Sequence, residues 1–126
     1  MRSPLVFRIA AMTLMVVVTL TFLSPGLSAH AVVIKSTPAV DAVLSSGDTT
    51  VELRYNSRID HQRSRLTLFG AEGKPSAIAI QPDSAADVII AKLSGLAPGQ
   101  YRLRWQVLAV DGHLTRGEIP FSVKAP

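Results

Sequence analysis

Three histidines, no cysteine, and an acid placed two residues before one of the histidines define the chemistry open to this 126-residue chain. Without thiols it cannot build a disulfide scaffold, a thiolate zinc site, an iron–sulfur cluster, a cysteine nucleophile or a blue-copper centre. A transition-metal site would have to be made from histidine and carboxylate. His113 stands in Asp111-Gly112-His113, where residues two apart share a direction if strand geometry persists and the glycine permits a tight turn. His30 lies at the end of an apolar leader. If it became the first residue of a processed chain, its α-amine and ring nitrogen together would form a compact chelate suited to Cu(II). His61 sits in the polar run Arg58-Ile59-Asp60-His61-Gln62-Arg63-Ser64-Arg65, which predicts a solvent-facing loop with at most a weak metal contact.

The leader decides whether the His30 amine exists. Arg2 and Arg8 precede an apolar run from Ile9 to Leu23, and small residues through Ala29 follow it. This is the pattern of a secretory signal peptide over residues 1–29. The run is shorter than the roughly 20 apolar residues that a membrane helix needs. A cut after Ala29 leaves residues 30–126 and exposes the His30 amine. Ala29-His30-Ala31 also fits a small-x-small cleavage pattern, and a cut after Ala31 would discard His30.

Processing also changes the composition. Met1, Met12 and Met15 are the only methionines, so the processed chain has no sulfur ligand at all. Removing Arg2 and Arg8 lowers the basic count from 13 to 11 against 9 acids, and the net charge from +4 to +2. A nucleic-acid partner loses its electrostatic basis. There is no G-x-S-x-G elbow and no phosphate-binding glycine loop. The acids are scattered, with no pair that could work as general acid and base.

The elements that would carry these residues read as β. Thr49–Tyr55 alternates, with Val51, Leu53 and Tyr55 on one face. Tyr101–Val110 is the strongest strand, and Leu103, Trp105, Val107 and Ala109 share its apolar face. Glu118–Lys124 closes the chain with Ile119, Phe121 and Val123 in register. Shorter strands are expected at Val32–Lys35, Arg65–Phe69, Ala77–Ile80 and Val88–Leu93, separated by Gly/Pro turns. Some seven short strands in one domain predict an all-β antiparallel sandwich.

Several stretches in order resemble the CopC family of periplasmic copper-binding proteins, including its YobA-like members. They are Ser36-Thr37-Pro38-Ala39, Val51 to Asn56, Pro98-Gly99-Gln100-Tyr101 running to Val107, Asp111-Gly112-His113, and Gly117 to Val123. The resemblance implies a seven-stranded Greek-key sandwich or barrel of cupredoxin-like or immunoglobulin-like type. It implies one Cu(II) per monomer, held by His30 through amine and ring and by Asp111 and His113. It implies a non-enzymatic role in copper sequestration or delivery in the periplasm, with handover to a CopD-type inner-membrane transporter. Ser57 stands where relatives often carry a glutamate near the metal. Two readings from other classes fit the same residues: a histidine-brace copper oxidase, and a metal-free sandwich that serves as an interaction module.

Overall fold

A computed structural model of the protein describes residues 31–126. They form eight strands: β1 (Val33–Thr37), β2 (Ala42–Leu44), β3 (Thr49–Tyr55), β4 (Ile59–Phe69), β5 (Pro75–Ile78), β6 (Val88–Leu93), β7 (Gly99–Ala109) and β8 (Leu114–Val123). No helix is present among the described residues. The strands make two sheets, ordered β1-β3-β6 and β2-β8-β7-β4-β5. All pairs are antiparallel except β2 with β8.

The alternating residues meet between the sheets. Val51, Leu53 and Tyr55 from β3 and Ile89 and Ala91 from β6 face Leu103, Trp105, Val107, Ile119 and Phe121 from β7 and β8. Each large apolar side chain fully buried in this way contributes about 1.5–3 kcal/mol relative to exposure. Tyr55 and Trp105 pack edge to face across the core with ring centroids 5.4 Å apart, and Tyr101 stacks on Phe121. Gly117 is paired with Trp105 and leaves room for the indole, because a Cβ there would lie 2.5 Å from ring atom Cε2.

The departures from the sequence expectation have local causes. β2 is an eighth strand of three residues, too short to show a period. It is held by its backbone: Asp41, at φ 61°, donates its N–H to Pro120 O (2.7 Å), and Lys124 N–H bonds Leu44 O (2.9 Å). The second departure is β4, which begins at Ile59 rather than Arg65, so His61 lies in a strand and not in a loop. Five steps from Asp60 to Arg65 oppose two steps from Leu108 to Gln106, so β4 carries a bulge of three extra residues. Ser64, 6% exposed, closes it: its hydroxyl donates to Asp60 O (2.6 Å) and accepts from Leu108 N–H (3.3 Å). The bulge breaks the alternation that would have marked the strand. β5 begins two residues early, at Pro75. As an edge strand it tolerates a residue without an N–H.

Candidate metal centre

β7 and β8 are joined by a tight hairpin, and the Asp-Gly-His motif is its tip. Ala109 N–H donates to His113 O and Gly112 N–H donates to Ala109 O, both at 2.9 Å. Gly112 has φ 90°, a conformation glycine takes without a Cβ penalty. β7 ends at Ala109, so a turn, not strand alternation, brings the two side chains together. The Asp111 carboxylate folds onto the following histidine. Oδ1 accepts the His113 backbone N–H (3.0 Å), and Oδ2 lies 3.0 Å from ring Nδ1. This is a turn closed by an aspartate side chain. An Nδ1–H donated to the carboxylate fixes the ring plane and leaves the lone pair on Nε2, the arrangement that suits an imidazole ligand. The two side chains are adjacent, so both could serve one cation once the ring–carboxylate hydrogen bond is given up for it.

The start of the described chain is seated beside this hairpin. Ala31 is 2% exposed and belongs to the core cluster. Its carbonyl accepts a hydrogen bond from Thr115 Oγ1 (3.1 Å), two residues beyond His113. Val32 is clamped by Asn56: its N–H donates to Asn56 Oδ1 (2.8 Å) and its carbonyl accepts Asn56 N–H (3.0 Å). Asn56 is thus a positioning residue that residue chemistry alone did not single out. Its only sequence signal is an amide directly after a strong strand. A groove of about 620 Å³, with Trp105 and Gly117 among its walls, opens beside Ala31 between β1 and β8.

His30 and the leader over 1–29 lie outside the described residues. Among the described residues no three of His, Cys, Asp and Glu gather to hold a metal, so Asp111 and His113 form a pair rather than a closed site. His61 belongs elsewhere: its Nε2–H donates to Val88 O (2.7 Å), joining β4 of one sheet to β6 of the other. Asp60 is likewise engaged, accepting Arg63 N–H at 3.1 Å. The Ser57 hydroxyl is buried and has no hydrogen-bond partner among the described residues, and the same holds for Tyr55. Burial pushes the Tyr55 phenol well above its ordinary range, so it stays protonated.

A family model described as the CopC domain matches residues 33–124. Copper resistance protein C of Xanthomonas campestris pv. juglandis is 32% identical over 126 residues, covering 94% of this chain and 98% of its own. Copper transport protein CutJ of Bacillus subtilis is 27% identical over 107 residues, covering 82% of this chain, which spans only 20% of CutJ. The crystal structure of CopC from Methylosinus trichosporium OB3b superposes with a TM-score of 0.68 at 23% identity, covering 75% of this chain and 94% of its own, and so shares the fold. With a family model over most of its length and a full-length relative above 30% identity, the chain belongs to the CopC family.

Proposed function

We propose that the protein is exported, loses residues 1–29, and binds one Cu(II) through the His30 amine and ring, the His113 ring and the Asp111 carboxylate. The observation that carries this reading is the seat of Ala31. Its carbonyl is bonded to Thr115, and residue 30 is covalently next to it, with neighbouring Cα atoms about 3.8 Å apart. A first residue there is within reach of the β7–β8 hairpin. The same seat argues against a cut after Ala31, which would delete a residue of the core cluster and turn the Val32 N–H bonded to Asn56 into a charged terminus.

Three nitrogens and one oxygen suit Cu(II), which also leads the divalent ions in affinity for such ligands. Without sulfur ligands the site would not favour Cu(I), so reduction would loosen the metal. These properties fit sequestration or delivery of copper outside the cytoplasm, in the periplasm, by a monomer that passes the ion to a CopD-type membrane protein. The role is binding rather than catalysis, because an Asp111 ligand takes a position that oxygen activation needs open.

Intact mass of the secreted protein tests the first step. A mass for residues 30–126 is expected, and one for 32–126 removes two of the ligands. Copper titration followed by Trp105 fluorescence tests the second: His113→Ala is expected to weaken Cu(II) binding by at least about tenfold, the equivalent of 1.4 kcal/mol. Unchanged affinity would refute the ligand assignment.

A further inference from the structure

The five-stranded sheet turns a strongly basic face to solvent. Its central rows follow from the register: Arg65, Gln106 and Arg116 in one, Thr67, Arg104 and Glu118 in the next, Phe69, Arg102 and Pro120 in the third. All four arginines are exposed, and Glu118 is the one acid among these nine residues. Asp60, nearer the hairpin, is offset by Arg63 at 3.9 Å. The other sheet is nearly balanced, with Lys35, Arg54 and Lys92 against Glu52 and Asp87, and Arg54 within 3.8 Å of both acids.

We propose that this arginine face docks the protein on an anionic phospholipid bilayer, with the guanidinium groups on lipid phosphates. Like charges gathered on one sheet face oppose folding, and Arg65 and Arg116 flank Gln106 with no acid in their row. Among the described residues this charge stays unbalanced on the sheet face. The cations are all arginine, whose planar fork matches phosphate oxygens.

Two of the guanidinium groups are already held in place. Those of Arg102 and Arg104 lie 5.2 and 4.8 Å from the Phe69 ring centroid, and they bond Glu118 at 3.1 and 2.9 Å. Their side chains therefore lose little further freedom on binding. The patch spans about 14 Å along the strands and 10 Å across them. A bilayer presents mobile phosphates over any such area, whereas an acidic protein would have to match the arginine positions. Leu114, 46% exposed, lies two residues from Arg116 on the same face and can enter the headgroup layer.

The test is vesicle co-sedimentation of the chain starting at His30, which contains every described strand. Mixed phosphatidylglycerol and phosphatidylcholine vesicles are compared with pure phosphatidylcholine. Binding is expected only to the anionic vesicles and is expected to fall steeply as salt is raised. Each arginine at an anionic surface multiplies the partition roughly fivefold, so Arg65→Gln with Arg116→Gln should lower it about 30-fold. Neither side chain makes a described hydrogen bond, so circular dichroism should report an intact fold. Lys35→Gln with Lys92→Gln, equal in charge but on the other sheet, should lower it less than about threefold. Equal loss in the two double variants would show a response to net charge alone and overturn the assignment. So would equal binding to neutral vesicles, no binding at low salt, or displacement by inorganic phosphate beyond that by sodium chloride of the same ionic strength.

Discussion

Adding one methyl group at Gly117 tests whether the core is built around Trp105. A Cβ at this position would stand 2.5 Å from Cε2 and 2.7 Å from Nε1 of the indole. Ordinary contact is about 3.4–4 Å, so the ring must retreat by roughly 1 Å. It cannot do so freely, because the Tyr55 ring stands across the core at 5.4 Å and Trp105 itself is 8% exposed. Overpacking of this kind costs about 1–3 kcal/mol. The alanine restricts the unfolded chain and returns about 0.4–1 kcal/mol. The balance is a loss of roughly 1–2 kcal/mol for Gly117→Ala, and at 4–8 °C per kcal/mol in a domain of this size Tm should fall by about 4–16 °C. Thermal unfolding read by Trp105 fluorescence measures it, and the native emission should shift as the ring moves. Gly70→Ala is the control: the nearest atom to its Cβ would be 3.7 Å away, in Tyr101, so its Tm should change little. If Gly117→Ala matched Gly70→Ala in both Tm and emission, the view of Gly117 as the seat of the indole would be wrong.

Asn56→Ala removes the bond from Val32 N–H but keeps the backbone bond, so it should cost about 0.5–1.5 kcal/mol in denaturant unfolding and also weaken copper binding. A stability loss with unchanged copper affinity would separate the strand start from the site. Ser64→Ala leaves the Leu108 N–H inside the β4 bulge without its acceptor and should cost about 1–3 kcal/mol, with hydrogen exchange at Leu108 rising first. The Glu118 carboxyl is held below its ordinary range, first of all by the hydrogen bond from Arg104; desolvation opposes this, and the hydrogen bond from Arg102 and the charges of both arginines add to the lowering. A carboxyl depressed in the folded state adds stability above its unfolded pKa and loses it as pH falls through the folded value. Tm should therefore drop on acidification below about pH 4.5, and less so in Glu118→Gln.

The strands that alternate were legible because one buried face forces a period of two. Thr49–Tyr55 and Val88–Leu93 fall where the pattern puts them, and Leu103, Trp105, Val107 and Ala109 of β7 and Ile119, Phe121 and Val123 of β8 turn inward. β2 was not legible, since three residues held by backbone bonds to β8 carry no period. The first half of β4 was hidden for the opposite reason: its residues are polar because a bulge lifts them out of the ladder, and His61 reads as a loop residue although its ring spans the two sheets. The Asp111–His113 pair was visible as a motif, but its mutual hydrogen bonds depend on the turn at Gly112. Asn56 and Thr115 could not be recognised as anchors, because their partners lie 24 and 84 positions away in the chain.

That span of 84 residues between Ala31 and Thr115 sets an order of assembly. A chain is made from its N-terminus, and loop closure over so long a stretch must wait for the far end. Ala31 is made first and bonded last, once β8 exists to receive it, although β1 beside it pairs with the nearer β3. A chain arrested before Thr115 lacks the bond that fixes the Ala31 carbonyl, even where Val32 is already held by Asn56. A chain that holds Ala31 in place has, by that fact, been completed past the hairpin.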